Sequence, residues 1–206
     1  MQNILTFEQL TADTPMTREE LLSVAHLIYG TDPYIYPAMC SAEEAEKILP
    51  RLLTDGVDAM FCKQNLFVAR LQDRIISLIL WHEGPLIWNK NAYLNTCKSE
   101  NIPVSPTFDQ VAREYLGAYD RPAAEVSIIN VCVVPDLRGK GIAAANLQAF
   151  ISGRKEKSME LVTLKDNAAA VALYERNGFC VVREENGFAV GDVKPRCLVM
   201  RRPAGK

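Results

Sequence analysis

The sequence lacks the features that mark several broad classes of protein. Its 206 residues contain no apolar run of membrane-spanning length, no low-complexity segment and no internal repeat. Positive charge is not in excess, since 23 Lys and Arg stand against 25 Asp and Glu, and no basic stripe is visible. A transmembrane helix needs about 20 apolar residues, and a nucleic-acid-binding surface must be electropositive. We therefore expect neither a membrane nor nucleic acid as a partner.

The cysteines lack the spacing of a metal or redox site. Six are present, without a Cys-x-x-Cys pair or a Cys/His ligand pattern, so neither a metal site nor a structural disulfide is predicted. The N-terminus MQNILTFEQL has no basic region followed by an apolar stretch, which favours a cytoplasmic protein. Cys132 and Cys180 lie inside apolar runs and are expected to be small buried side chains.

What remains is the composition of a globular protein. The length and the 49% apolar content favour one domain over residues 1–206. Capping boxes at Thr17 and Ser41 predict two helices joined by a loop over residues 30–37, and Pro50 is expected to kink or shorten the second helix. These two helices are predicted over residues 17–30 and 41–53.

Strand patterns dominate the rest of the chain. Two apolar runs around the polar turn 72–74 predict a hairpin, and residues 83–124 are interpreted as an excursion from the sheet with one helix at 108–116. The run Val126 to Val134 predicts a strand covered on both faces, and it begins a β-α-β unit with parallel strands. A helix and two strands complete the predicted elements, at 167–176, 179–183 and 196–201.

The turn inside the β-α-β unit carries the most informative motif, VPDLRGKGIA, of which we call residues 138–143 the cradle loop. Glycines let a ligand approach the backbone closely, and a helix N-terminus offers N–H groups at its positive end. The turn has neither the GxGxxG nor the GK[ST] pattern, so dinucleotides and nucleoside triphosphates are not indicated. The cradle loop is therefore predicted to bind another anion, such as a pyrophosphate.

The cradle loop resembles the Arg-x-x-Gly-x-Gly/Ala signature of the GNAT N-acetyltransferases. The resemblance implies a co-substrate, acetyl-CoA, whose pyrophosphate is held by this loop. It assigns that contact to Arg138, Gly139, Lys140, Gly141, Ile142 and Ala143.

A second motif lies downstream, where Asn167 and Tyr174 are seven residues apart. On a helix they would share one face about 10 Å apart along the axis, so one extended ligand could touch both. The segment also resembles GNAT proteins, which implies that Asn167 contacts the pantetheine arm and that Tyr174 protonates the departing CoA thiolate. The alternative is that Asn167 only caps the helix and Tyr174 only packs.

The same resemblance implies a fold and a role for the strand before the cradle loop. The expected fold is α/β, with a mixed, mostly antiparallel sheet flanked by helices and a parallel strand pair that splays at the acetyl-CoA site. The backbone of Val131, Cys132 and Val133 would then bind pantetheine and the oxyanion. A cysteine in an apolar strand is usually a core residue, so Cys132 is given no covalent role.

The general base is less clear from the sequence. A primary amine, with a pKa near 10.4, must lose a proton before it attacks. Several GNAT relatives use an acidic residue on the strand before the cradle loop, where this chain has Ser127. Glu125, two residues earlier on the same nominal face, is the first candidate, and His82 at the end of the hairpin is the second.

Aromatic residues indicate where the acceptor binds. Tyr34 and Tyr36, with Tyr29, lie in the first loop, and aromatic walls suit an amine. A second group lies in the excursion: Trp88, Tyr93, Phe108, Tyr115 and Tyr119. The alternative is that these rings pack the loops down. The excursion is long enough to form a lid or an oligomer contact, so a homodimer is left open.

The expected activity is direct transfer of acetyl from acetyl-CoA to a primary amine, with a small molecule favoured as acceptor. Two alternatives remain open. One is acetylation of protein lysines or N-termini, which needs an open groove. The other is a module that binds acyl-CoA and catalyses little, which would lack a base near the thioester.

Overall fold

The computed structural model describes residues 4–56, 60–84, 89–113, 124–189 and 192–205. Within them the strands, in chain order, are β1 (Leu5–Gln9), β2 (Leu66–Leu71), β3 (Arg74–Glu83), β4 (Val126–Val133), β5 (Met159–Leu164), β6 (Cys180–Asn186) and β7 (Arg196–Arg202). They form one sheet in the order β1-β2-β3-β4-β5-β7-β6. The β4–β5 pair is parallel, and the other neighbouring pairs are antiparallel. The predicted mixed sheet is confirmed.

The helices of the described residues are α1 (Arg18–Tyr29), α2 (Ile35–Met39), α3 (Ala42–Asp55), α4 (Lys90–Ser99), α5 (Phe108–Val111), α6 (Ile142–Ser152) and α7 (Ala168–Arg176). Both predicted capping boxes form, at Thr17 before α1 and at Ser41 before α3. None of the helices described has the length and apolar character needed to cross a bilayer.

The first helices differ from the prediction in two respects. The loop over residues 30–37 contains α2, which starts where Asp32 Oδ1 accepts hydrogen bonds from the N–H groups of Tyr34 and Ile35, at 2.7 and 2.8 Å. Pro50 does not shorten α3, which continues to Asp55. The buried leucines around Pro50 favour the helix more than the lost backbone hydrogen bond opposes it.

Side chains of β3 show how the sheet divides the interior. Ile76, Leu78 and Leu80 belong to an apolar cluster with α1 and α3, whereas Ile79 and Trp81 belong to a cluster with α6 and α7. Alternate residues of a strand point to opposite faces. The sheet is therefore a central layer with helices on both sides, and β3 contributes to both cores.

The described part of the excursion, residues 89–113, packs against α2 and α3. The Tyr93 hydroxyl donates to Met39 O at 3.3 Å, and the Tyr93 ring stacks on Phe108 with centroids 4.9 Å apart. Both rings are buried in the larger core, so packing is their observed role. The helix α4 was not predicted, and the predicted helix 108–116 is seen only to Val111 within the described residues. Trp88, Tyr115, Leu116 and Tyr119 lie outside them.

The edge strands were the least visible in the sequence. The strand β1 was not predicted, because its five residues alternate between exposed and half-buried positions and form no apolar run. The expectation that Cys180 is buried was wrong. Cys180 begins β6, whose outer edge has no neighbouring strand in the sheet order, and that placement exposes it.

Candidate active site

The strands β4 and β5 separate partway along their length. Their parallel pairing covers only three residue pairs within the described strands, although β4 continues to Val133 and β5 to Leu164: Val126↔Met159, Ser127↔Glu160 and Ile128↔Leu161. The β3–β4 register shifts at the same level, because Leu80 lies opposite Asn130 and Trp81 opposite Ile128. Ile129 is thus the extra residue of a β-bulge, which bends a strand. A gap opens between β4 and β5 beyond this bulge.

Backbone groups of β4 line the gap. Val134 N–H donates to Ile76 O at 2.9 Å, so Val134 directs this group towards β3. Successive residues of a strand direct their N–H and C=O groups to opposite edges, so those of Val133 and Val131 point away from β3. Val131 and Val133 are the residues that face the gap. The carbonyl of Cys132 is directed to β3, where it accepts from Ser77 Oγ at 2.7 Å. Of the three predicted backbone positions, two therefore face the gap and Cys132 does not.

The Cys132 side chain is buried in the core. Burial raises the pKa of its thiol well above the usual range, and the nearby Arg138 guanidinium opposes that effect only weakly. A thiol in this state stays protonated, and the thiolate is the nucleophilic form. The structure thus agrees with giving Cys132 no covalent role.

The cradle loop has the geometry of an anion site. Gly139 and Gly141 have φ of +76° and +78°, a conformation that favours glycine, and a Cβ on either would meet no atom within 4 Å. Gly141 is the N-cap of α6, so the free N–H groups of that helix point into the open space beside the loop. Arg138 Nε donates to Val133 O at 3.1 Å and ties the loop to the end of β4. The loop therefore fits a pyrophosphate.

A cavity of about 360 Å³ continues from the gap. It lies between β4, β5 and α7 on one side and the α1–α2 and β6–β7 loops on the other. Its polar and aromatic lining includes Thr31, Asp32, Tyr34, Tyr36, Asn130, Asn167, Tyr174, Glu185, Phe188 and Lys194. The predicted pairs Tyr34 with Tyr36 and Asn167 with Tyr174 thus meet in one space.

Asn167 and Tyr174 occupy the α7 side of this cavity. Asn167 Oδ1 accepts from Ala170 N at 3.2 Å, so Asn167 caps α7 and also lines the cavity. Tyr174 packs edge to face with Phe179 at 5.9 Å, and no described residue accepts a hydrogen bond from its hydroxyl. Burial, and to a smaller extent the Cys132 thiol, raises the pKa of Tyr174 far above its usual value. The phenol therefore remains protonated at neutral pH.

Asn130 and Thr31 are cavity residues that the sequence prediction missed. Tyr36 Oη donates to Asn130 Oδ1 at 3.2 Å, and Asn130 Nδ2 donates to Thr31 Oγ1. One signal was available, because Asn130 is the single amide side chain in the run VSIINVCVV. A buried polar side chain in an apolar strand needs hydrogen-bond partners.

Acidic residues lie near Cys197 at the far wall of the cavity, which Lys194 also lines. Burial, followed by the charges of Asp32, Glu185 and Asp166, raises the pKa of Cys197 to about 11. Asp32 and Glu185 also line the cavity. They come from opposite ends of the chain, so no local pattern links them. No group of His, Cys, Asp and Glu in the described ranges is arranged to hold a metal ion.

The structure does not bring the predicted bases Glu125 and His82 to the cavity. Glu125 Oε2 accepts from Ser158 N and Oγ, at 2.9 and 3.2 Å, before β4 begins. At the rise of a strand, six residues separate Glu125 from Val131 by about 20 Å. His82 lies opposite Ser127 at that same end, with Nδ1 donating to Glu83 O at 3.2 Å, and burial lowers its pKa.

Known proteins share this geometry and parts of the sequence. A sequence profile described as "Acetyltransferase (GNAT) domain" matches residues 63–181, more than half of the chain. A mycothiol acetyltransferase of Propionibacterium freudenreichii subsp. shermanii is 39% identical over 72 residues, which cover 34% of this chain and 22% of that protein. The chain therefore aligns with about a fifth of that relative's length.

Two solved structures share the fold at low identity. An N-acetyltransferase from Staphylococcus aureus Mu50 has a TM-score of 0.61 at 16% identity, covering 94% of this chain and 99% of that one. The ribosomal-protein-S18-alanine N-acetyltransferase from Escherichia coli has a TM-score of 0.54 at 14% identity, covering 98% of this chain and 96% of that one. Likeness at this level of identity shows the fold.

Proposed function

The chain belongs to the GNAT family of acetyltransferases, and from this premise we propose that it transfers acetyl from acetyl-CoA directly to the primary amine of a small molecule. One observation carries the proposal. The gap at the β4 bulge opens directly into the cavity of about 360 Å³. A thioester held along β4 would therefore meet an acceptor held in the cavity.

The residues on the cofactor side fit the parts of acetyl-CoA, which supplies an activated acetyl thioester. The cradle loop offers backbone N–H groups and the charge of Lys140 to a pyrophosphate. The amide of Asn167, which lines the cavity, would contact the pantetheine arm. The N–H groups of Val131 and Val133, directed into the gap, are donors for an oxyanion, and one such donor is typically worth about 3 kcal/mol of barrier.

Two side chains handle protons in this proposal. Tyr174, whose phenol is kept protonated by burial, donates to the departing thiolate. Asp32 takes the role that the sequence assigned to Glu125, because its carboxylate lines the cavity and accepts the amine proton there. Two backbone N–H groups hold Asp32 Oδ1, so its position is fixed.

The cavity favours a small cationic acceptor. Its volume of about 360 Å³ includes the space beside Asn167 and Tyr174 that the pantetheine arm would occupy, so the part left for an acceptor suits a small molecule. The carboxylate of Asp32 attracts an ammonium group, and the rings of Tyr34 and Tyr36 offer it cation–π contacts. Glu185 is paired with Arg183 at 3.1 Å and Lys194 also lines the cavity, so the charge argument depends on Asp32. The aromatic and acidic lining suits a compact amine.

The proposal is tested by measuring CoA-thiol release with a panel of amines, with the products identified by mass. The panel includes polyamines, amino sugars, amino acid derivatives and peptides with a free N-terminus or lysine. We expect turnover with one class of small amine and little with peptides. Turnover confined to peptides would instead establish a protein acetyltransferase.

A pair of variants tests the base with the best amine. Asp32→Asn should lower kcat/KM by about 10²-fold or more, because general-base steps typically contribute about 10² to 10⁴. Glu125→Gln removes the same charge outside the cavity and should retain activity. A loss in Glu125→Gln together with an active Asp32→Asn would return the role to Glu125.

A further inference from the structure

Asn130 lies where the two halves of the site meet. It is 6% exposed, follows the extra residue of the β4 bulge, and lines the cavity. An amide in this position needs partners for both its donor and its acceptor. The observed partners of its side chain are Thr31, between α1 and α2, and Tyr36, in the first turn of α2.

Both polar side-chain atoms of Asn130 form hydrogen bonds, one with Tyr36 and one with Thr31. Oδ1 accepts from Tyr36 Oη at 3.2 Å, and Nδ2 donates to Thr31 Oγ1. Thr31 Oγ1 in turn donates to Ile28 O at 2.6 Å, in the last turn of α1. The chain of hydrogen bonds therefore runs from the end of α1 through the loop to β4.

These hydrogen bonds reach β4 at the level where β5 no longer pairs with it. Beyond Ile128 the pairing of β4 with β5 has ended, so one edge of β4 has lost its ladder of hydrogen bonds. The acceptor-side groups Asp32, Tyr34 and Tyr36 sit on the segment that Asn130 holds. Apolar packing of Ile35 and Tyr36 also holds this segment, and the Asn130 amide adds the directional hydrogen bonds between it and the thioester edge.

We propose that Asn130 is a positioning residue that holds residues 31–36, the acceptor segment, in register with the thioester-binding edge of β4. The inference rests on the proposed function for its kinetic consequence. It also assigns the Tyr36 hydroxyl to Asn130, so that Tyr36 offers the acceptor its ring and not its proton. Reaction rates are sensitive to the placement of an acceptor relative to an acyl group.

Two conservative substitutions test this inference with little risk to folding. Tyr36→Phe removes the hydroxyl that donates to Asn130, and Thr31→Val removes the hydroxyl that accepts from its amide. Tyr29→Phe is the matched control, because the Tyr29 hydroxyl donates to Cys40 O at 3.2 Å and not to β4, and its ring lies 6.3 Å from that of Tyr36.

Steady-state kinetics give the first measurement. We expect Tyr36→Phe and Thr31→Val to raise the acceptor KM about tenfold and to lower kcat, since each leaves a buried partner unsatisfied. The dissociation constant for acetyl-CoA should stay within about twofold of the original, because the cradle loop is untouched. An effect no larger than that of Tyr29→Phe would overturn the inference.

Amide hydrogen exchange gives a second measurement that needs no acceptor. In both variants the amides of residues 31–36 should exchange at least about tenfold faster, while those of residues 142–147 keep their rates. Unchanged exchange over residues 31–36 would overturn the inference even if an amine substrate is found. Failure of every amine in the panel would instead count against the proposed function and leave the exchange result to decide the role of Asn130.

Discussion

Most of the proposed cofactor side comes from one stretch of chain, residues 126–143, to which α7 adds Asn167 and Tyr174, whereas the acceptor side is assembled from segments near residues 31–36 and 185–197. The first uses backbone groups, namely two left-handed glycines and the free edge of a strand. The second uses side chains that meet only in the folded protein. A backbone site constrains few residue types, so it leaves a short local signature. A site built from side chains draws on residues far apart in the sequence, so it leaves no local signature.

The strongest test of this comparison is a variant that disables only the cofactor side. Gly141→Glu places a side chain and a negative charge in the space that the cradle loop keeps open, where no atom lies within 4 Å of a Cβ. We expect acetyl-CoA binding to become undetectable by calorimetry, because the charge opposes the pyrophosphate beside the helix N-terminus.

Gly141→Ala separates the charge from the backbone effect. An alanine at φ of +78° costs roughly 1–2 kcal/mol of stability but adds no charge. It should bind acetyl-CoA more weakly than the original protein and far better than Gly141→Glu. Equal affinity in Gly141→Glu and the original protein would mean that the pyrophosphate binds elsewhere.

The next largest effect is expected where the two sides meet. Tyr174→Phe keeps the ring and its edge-to-face contact with Phe179 but removes the only proton that the residue can donate. We expect kcat to fall about 10²-fold, the low end for a general acid because a thiolate leaves readily. Acetyl-CoA affinity should hardly change, because the proton matters in the transition state and little in the ground state.

Steady-state kinetics with the best amine, together with calorimetry of acetyl-CoA, decide the role of Tyr174. A thermal midpoint within a few degrees of the original shows that the variant is folded. An unchanged kcat with a large rise in the acetyl-CoA dissociation constant would mean that Tyr174 only binds or packs.

The same contrast explains what the sequence could predict. The strand β4 was recognisable because an unbroken run of apolar, mostly β-branched residues is typical of a buried strand, and the cradle loop because glycines there match a family signature. The β4 bulge was not recognisable in the sequence, because one extra residue hardly changes the composition of a strand. Glu125 was chosen by the face it shares with Ser127, which ignored its distance along the strand from the gap.

Even less of the acceptor side could be predicted from the sequence. Asp32 and Glu185 are far apart in the sequence, and both come close to Cys197 only in the folded protein. Short helices were also hard to predict. The helix α2 has five residues and begins at hydrogen bonds to an Asp32 carboxylate, a feature equally typical of a turn. Tertiary packing decided between the two.

A smaller effect is expected on the acceptor side, at Gly187. Its N–H donates to Pro195 O at 2.8 Å, and a Cβ there would lie 2.8 Å from Cys197 Sγ and 3.0 Å from Pro195 Cγ. Gly187→Ala must therefore shift the Cys197 side chain, Pro195 or the loop backbone, and we expect it to lower the free energy of unfolding by about 2 kcal/mol. The acceptor KM should rise while acetyl-CoA affinity holds.

Gly153→Ala is the matched control for chemical denaturation. Gly153 follows α6 at φ of −78°, and the atom nearest to its Cβ position is 3.8 Å away. Alanine fits there, so stability should be unchanged or increased by about 0.4–1 kcal/mol. Equal stability of Gly187→Ala and Gly153→Ala would show that the β6–β7 loop accommodates the added methyl group without loss of stability.

The smallest effect concerns Asn167, which serves both the fold and the cofactor side. Its Oδ1 caps α7 by accepting from Ala170 N, so Asn167→Ala should cost about 1 kcal/mol of stability, whereas Asn167→Ser keeps a capping oxygen and should cost much less. If the amide also contacts the pantetheine arm, both variants lose that contact and should bind acetyl-CoA roughly fivefold more weakly. Thermal denaturation measures the cap and calorimetry measures the contact. Recovery of both stability and affinity in Asn167→Ser would show that Asn167 acts only as a helix cap.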